Sequence, residues 1–473
     1  MAPAPKFAAC AGRIVLAASS PTAGPLLRLT LRHIECEPGQ LSLVSSDTEA
    51  GREAAELGVR FEPLAVTRDE LVPLFDRHLQ GGDLFINDEP TLGTLDALSL
   101  CQDRAVLYCD GRLSSWSHAF DTPAVSLDGR SAYAMRNSVL ARRDASREGP
   151  TAVFGHGGNP GLVSHFAKLA LIKMASDAGS GGKEPETRAD WATLGASLGV
   201  RTIHFTEIDE QTTTEGREPN EFADTAAPGA LASSSVMAPE LGWGTHERHW
   251  PVEGRDFGYG CGAAIRMART GLSTSIRSWT PALGNVSGVL LSRASATSVA
   301  DLLTIRESGR TTYRPTCHAV VRPCDDAWLS LRQFRERHFR APARLRTATS
   351  EGIEGRVELG VLLMGHSRCS YWFGCRLEAR EARSLCARAS PGALLSSASL
   401  MAAAAWTLKH PDRGVHEPED LPHEQILEMC APYLGEVSGT YSDWTPLAGR
   451  GHPFPEELDE ADPWQFKNFR IAG

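Results

Sequence analysis

From residue 12 to about 150 the chain alternates between two hydrophobic periods. Short apolar runs at 12–18, 41–45, 83–87 and 105–109 predict strands, and the segments 26–34 and 69–79, with apolar positions three and four apart, predict helices. Strand and helix in alternation predict an α/β fold with an N-terminal, Rossmann-type, doubly wound parallel sheet. A further strand at 151–154 runs into Gly155-His156-Gly157-Gly158-Asn159-Pro160-Gly161, and a helical stretch at 163–177 follows. Asn159 is expected to cap that helix and Pro160 to sit in its first turn. The Gly/Ser/Lys/Glu-rich segment 179–186 reads as an exposed loop.

Beyond residue 200 the strands are longer and less regular, at 201–208, 288–291, 358–364 and 370–377, which predicts a second, α+β domain. The last eighty residues return to helix at 394–409 and 425–434. The expected division is a dinucleotide-binding-like domain at 1–150, an α+β domain at 151–390 and a helical C-terminal segment at 391–473 that packs back. Length agrees: 473 residues make two or three packed units.

Composition narrows the function. Hydrophobic residues at 42% and charged residues at 22% are those of a globular protein. Lys and Arg number 48 against 58 Asp and Glu, and the net charge of −10 disfavours a nucleic-acid binder. Eleven cysteines without C-x-x-C spacing read as free thiols of a cytoplasmic protein. The first twenty residues imitate a signal peptide, but Arg13 splits the apolar run, so they read as mature sequence. The longest late apolar stretch, 400–408, is shorter than the ~18 residues of a membrane span, so no membrane contact is expected.

Several motifs fail on spacing. His246-Glu247-Arg248-His249 has its histidines three apart where a zinc-protease helix needs four, Gly182-Lys183 lacks the upstream glycine of a P-loop, and no G-x-S-x-G elbow occurs. His156, His246, His318 and His366 read as packed or solvated residues, Gly258-Tyr259-Gly260-Cys261-Gly262 as a tight turn, and no metal site is indicated. In the turn after the first strand, Ala18, Ser20 and Ala23 replace the glycines of the dinucleotide fingerprint. Their added side chains are expected to crowd a pyrophosphate, and the nearest carboxylate after the second strand is Asp47, an unclear ribose anchor. The second glycine-rich turn, at Asn159, could present backbone N–H groups to a ligand or be only a helix start.

Six stretches together resemble bacterial homospermidine synthase, of the saccharopine-dehydrogenase-like group. They are Asn159-Pro160-Gly161-Leu162-Val163-Ser164, the run from Glu240 through Gly242-Trp243-Gly244 to Glu247, Arg277-Ser278-Trp279, Tyr313-Arg314-Pro315-Thr316, the run from Glu358 to Leu363, and Tyr441-Ser442-Asp443-Trp444-Thr445-Pro446. The resemblance implies a homodimer that holds NAD as a hydride shuttle between putrescine-derived imines. It assigns Asn159 and Glu207 to catalysis and Asn87 and Asn159 to the cofactor. It also implies losses. Ser114-Ser115-Trp116 stands where the family has Glu-Pro-Trp, Ala226 where it has an aromatic ring, and Ser292-Arg293-Ala294-Ser295 where it has Thr-His-Asn-Glu. Ser234 and Thr91 align with two more carboxylates.

Each lost carboxylate removes a charge-assisted contact worth ~1.5–3 kcal/mol to a diammonium substrate, and Arg293 repels one. Three readings follow. The first is a redox enzyme of this family acting on another amine or amino acid. The second is a non-catalytic relative that binds a metabolite or a partner subunit. The third is ordinary homospermidine synthesis, with charge supplied by Asp88, Glu89 or Asp110.

Overall fold

The computed structural model describes residues 4–116, 131–145, 148–179 and 182–471. The N-terminal sheet is built from β1 (Ile14–Ala17), β2 (Leu41–Ser45), β3 (Arg60–Pro63), β4 (Leu84–Asn87), β5 (Leu107–Asp110) and β6 (Ala152–Val153). Between them run α1 (Ala23–His33), α2 (Thr48–Glu56), α3 (Arg68–His78), α4 (Thr94–Asp103) and α5 (Ala132–Ala145). Every residue of β1, β2, β4 and β5 is buried, as strands covered on both faces require.

After β6 the chain forms α6 (Leu162–Asp177), α7 (Arg188–Ser197) and β7 (Thr202–Asp209), then β8 (Glu240–Gly242), β9 (Gly254–Asp256), β10 (Ala264–Met267), β11 (Ser275–Thr280) and β12 (Gly284–Val289). Helix α8 (Ala294–Leu302) leads to β13 (Thr316–Arg322), β14 (Arg356–His366) and β15 (Cys369–Glu378). The C-terminal segment holds α9 (Pro391–Lys409), β16 (Val415–His416), α10 (His423–Cys430) and β17 (Glu436–Ser442).

The first sheet has the order β16-β6-β5-β4-β1-β2-β3, and all its pairs are parallel. Strand order reverses between β1 and β4, which opens a crevice beyond their carboxyl ends. The second sheet runs β9-β10-β8-β13-β7-β14-β15-β17, with β12 also paired to β13 and β11 to β12; β7 and β13 are parallel. The fold is therefore a Rossmann-type sheet plus a second α+β layer.

The C-terminal helices pack back as expected, but that segment also gives one strand to each sheet, β16 to the first and β17 to the second. Helix α9 has the length and composition to cross a membrane, yet 83% of its apolar window is buried inside the protein. It packs on α1 and β5, and one continuous apolar core joins β1, β4 and β5 through α9 and α6 to β7, β14 and β15. All eleven cysteines are free.

One local expectation fails. Asn159 does not cap α6: the helix begins at Leu162 after Gly161, whose φ of 117° and contact with the Gly157 backbone admit no Cβ. The segment 155–161 is a folded turn, and the Asn159 side chain is directed elsewhere.

Candidate active site in the inter-sheet cleft

The cofactor side is the turn from β1 into α1. Ala18 and Ala23 are fully buried and belong to the apolar core, so their methyl groups do not stand in a phosphate path. Of the three replaced fingerprint positions only Ser20 is exposed. Its N–H donates to Asp47 Oδ2 at 2.8 Å, while Asp47 Oδ1 accepts the Glu49 N–H at 2.9 Å and caps α2. Partial burial opposes ionisation of Asp47, but these N–H groups hold its carboxyl below the usual range. A half-exposed, ionised carboxylate just beyond the second strand is where a dinucleotide's ribose hydroxyls are recognised, and it repels a 2′-phosphate. The turn thus fits NAD better than its missing glycines suggest.

Around the ends of β4 and β5 lie four polar side chains. Asn87 is buried; its Nδ2 reaches Tyr108 Oη at 3.3 Å, and its Oδ1 accepts the Glu89 N–H at 3.1 Å. Its amide shapes the turn beneath the crevice. Asp88 is buried and accepts from Thr22 and from Arg112, tying the α1 N-terminus to the segment after β5. Gly111 is required beside it, since a Cβ there would come within 2.6 Å of Asp88 Oδ1.

Asp110 is completely buried and accepts from Tyr108 Oη at 2.7 Å, Thr94 Oγ1 at 2.8 Å and the Gly155 N–H. Burial pushes its carboxyl up to about 7 against these three donors. Glu89 is only half-buried and accepts from Thr91 Oγ1 at 3.1 Å; burial raises its pKa as well. Of the three carboxylates considered as substitutes for the lost charges, Glu89 alone is partly exposed.

The turn that begins at Gly155 carries the chain from Asp110 to the second sheet. There Asn159 Nδ2 donates to Glu207 Oε1 at 2.8 Å, and Asn159 Oδ1 accepts from Ser295 Oγ. Glu207, on β7, is also gripped by Arg293, whose Nε reaches Oε1 at 2.8 Å and whose Nη2 reaches Oε2 at 3.0 Å. The two expected catalytic residues, Asn159 and Glu207, are thus brought into contact, together with Arg293 and Ser295 from the divergent motif. Arg293 immediately precedes α8, and 86 residues separate it from its carboxylate. No sequence spacing announces that pairing.

The other divergent positions are placed as follows. Trp116 donates to Asp96 Oδ2 at 2.7 Å and packs on Gly93, while the backbone N–H of Ser114 donates to Thr94 Oγ1 at 3.0 Å. Ala226 is half-buried, and Ser234 spends its hydroxyl on the Leu231 carbonyl of its own helix. Thr91 is exposed beside Glu89.

Several motif residues carry structure instead. Buried Glu240 accepts the Ala132 and Tyr133 N–H groups at 3.0 and 2.8 Å, fastening the N-terminus of α5 to the second sheet, and burial pushes it up to about 7. Glu247 takes Thr316 Oγ1 at 2.6 Å and the Phe466 N–H at 2.9 Å, anchoring the C-terminal tail. His156 and His165 face each other at 2.9 Å in the core, and burial lowers both. His318 and His204 pack against one another, fully buried. These imidazoles are packing groups and take no part in the hydrogen bonds described for Glu207.

Comparison with known proteins places this arrangement. Residues 21–153 match the saccharopine dehydrogenase NADP binding domain. The chain is 39% identical to homospermidine synthase of Blastochloris viridis over 94% of each chain. It is 34% identical to that of Mesorhizobium japonicum, over 99% of this chain and 98% of the relative. The crystal structure of homospermidine synthase from Legionella pneumophila in complex with NAD superposes with a TM-score of 0.92, at 34% identity over 98% of each chain.

Proposed function

Since the chain belongs to the homospermidine synthase family, we propose that it is an NAD-dependent oxidoreductase that forms and reduces an imine on an amine or amino acid other than a pair of putrescines. NAD held over the β1–α1 turn would supply the chemistry of hydride removal and return. Ser20 and Asp47 would hold the ribose end, and Asn159 is fixed in one amide orientation by Glu207 and Ser295.

The observation that carries the reading is the two-point grip of Arg293 on Glu207. Glu207 is the surviving cleft carboxylate of the resemblance, and here a guanidinium neutralises it. A diammonium substrate would have to displace Arg293 before using Glu207, then sit beside the freed cation. Arg293 Nη1 contacts only the Ser292 carbonyl, at 3.3 Å, among the hydrogen bonds described. A substrate carboxylate fits that edge, because planar guanidinium donors match carboxylate geometry.

A second reading is homospermidine synthesis itself. It is favoured by Glu89, a half-buried carboxylate beside the β4 end, and by 39% identity over 94% of each chain to a homospermidine synthase. The test is turnover by the purified protein with NAD and a panel of diamines and amino acids, read by mass spectrometry of products and by transient NADH absorbance. Products from carboxylate-bearing amines support the first reading, and homospermidine from putrescine alone overturns it. Absence of bound NAD and of any turnover would leave a non-catalytic, ligand-binding role. Homodimerisation, implied by the family, is part of the proposal and is read by light scattering.

A further inference from the structure

A second polar cavity, of about 730 Å³, lies away from the cleft, where α6, α7 and the start of α10 meet. It is lined by Lys168, Glu184, Trp191, Glu419, His423 and Glu424 among others. Lys168 stands six residues into α6, roughly 9 Å along the helix from its start, so the cavity is distinct from the Asn159–Glu207 cluster.

Two features of the cavity have no explanation in the fold. Among the described residues, His423, only 5% exposed, makes no hydrogen bond through Nε2, and Glu419 Oε2 is likewise buried without a partner. Buried polar atoms are rarely left so, and an orphan imidazole nitrogen marks a place for a donor or a metal ion. Glu184 Oε1 lies 3.4 Å from His423 Nε2. A Glu424 oxygen completes a group of three ligand atoms that all lie within 4.8 Å of one another. Glu184 and Glu424 are exposed, so they can adjust, while His423 is fixed by the ring of Trp191, edge-on at 5.5 Å.

We propose that Glu184, His423 and Glu424 form a divalent-metal site, suited to zinc, that ties the segment before α7 to the first turn of α10. One imidazole and two carboxylates are a borderline-soft donor set, and a metal-bound water would complete four-coordination. The two carboxylates neutralise the incoming dication. Arg143, Arg188 and Arg413 also line the cavity; Arg143 and Arg188 are paired with Asp420, and the Lys168 ammonium is turned onto the Glu419 and Leu421 carbonyls, at 2.6 and 3.1 Å, with Glu417, Glu419 and Asp420 around it. The Glu419 carboxylate beneath, held by Ser164 and Ser298 through its other oxygen, adds negative potential to the cavity floor.

The test is calorimetric titration of zinc ion into the full chain, freed of metal by a chelator. Expected is one saturable site, weakened on the order of tenfold or more in the Glu184→Gln, Glu424→Gln double variant. Both substitutions are at exposed positions, so the metal-free melting temperature should stay unchanged and any loss of affinity reports the site. Cobalt ion in place of zinc should give a spectrum without a thiolate-to-metal band. Absence of saturable binding at ~100 µM zinc overturns the proposal, as does unchanged affinity in the double variant. A thiolate band would assign the metal to cysteine and overturn it equally. None of these outcomes depends on NAD binding or turnover, so they leave the functional reading to its own test.

Discussion

The two sides of the cleft each hold a carboxylate, and the fold treats them in opposite ways. On the nucleotide side Asp110 is sealed from water and surrounded by neutral donors from Tyr108, Thr94 and Gly155, so its proton stays on to about pH 7. On the substrate side Glu207 is partly open and answered by a full positive charge from Arg293. Neutral donors leave burial in control of a carboxyl, whereas a guanidinium removes its charge from the reach of a ligand. The first arrangement builds the crevice. The second, on the proposed reading, selects what can enter it.

The largest expected effect breaks the nucleotide side. Asp110 is protonated in the folded chain up to about pH 7 but ionised in the unfolded chain above about pH 4. Between those values the folded state holds the extra proton, so stability from this group is full below about pH 4 and is lost as pH rises through 7. Asp110→Asn, always neutral, should flatten that slope by up to roughly 2.5 kcal/mol, measured as the difference in unfolding free energy between pH 5 and pH 8.

Next comes the substrate side. Arg293→Ala should free Glu207 and raise kcat/KM for a diamine roughly 10- to 100-fold, while turnover of carboxylate-bearing amines falls. Unchanged ratios between the two substrate classes would show that Arg293 does not select. Asp47→Ser should narrow the preference for NAD over NADP by about tenfold, from one lost charge-assisted contact, read by fluorescence titration of both cofactors. The smallest effect sharpens the cofactor side alone. Ser20→Gly should tighten NAD only about two- to threefold, because Ala18 and Ala23 already point into the core; glycine at those two should cost roughly 0.5–1 kcal/mol of stability each without tightening NAD.

Periodicity revealed the first sheet well: the expected strand at 41–45 coincides with β2, and those at 12–18 and 83–87 contain β1 and β4. Those strands are buried on both faces, and unbroken apolar runs are a strong local signal. Strands β16 and β17 were not legible, because two residues at a sheet edge and a half-exposed strand carry little pattern. At the fingerprint positions the sequence shows that a residue is Ala18 or Ala23 but not that it is buried in the core.

Asn159 shows the converse. Its residue type suits a helix cap, yet Gly161 starts the helix and the amide is drawn to Glu207 on β7. Resemblance identified Asn159 and Glu207 as site residues, but the pairing of Glu207 with Arg293 depends on tertiary placement that no local rule encodes. The sequence offers Asp110 as a source of charge but does not show its burial, which follows from the tight approach of Gly155 and Thr94 after the chain has closed.

The edge strands β16 and β17 set a schedule for making the protein. As the chain leaves the ribosome, neither layer can be finished until residues 415–442 have emerged, although most of each sheet is made long before. The nascent chain therefore carries two incomplete sheets through most of its synthesis, with β6 and β15 still presenting open edges to other chains. A gene cut between the layers would yield two fragments that each lack an edge strand or carry one belonging to the other, so the unit of inheritance for this fold is the whole chain.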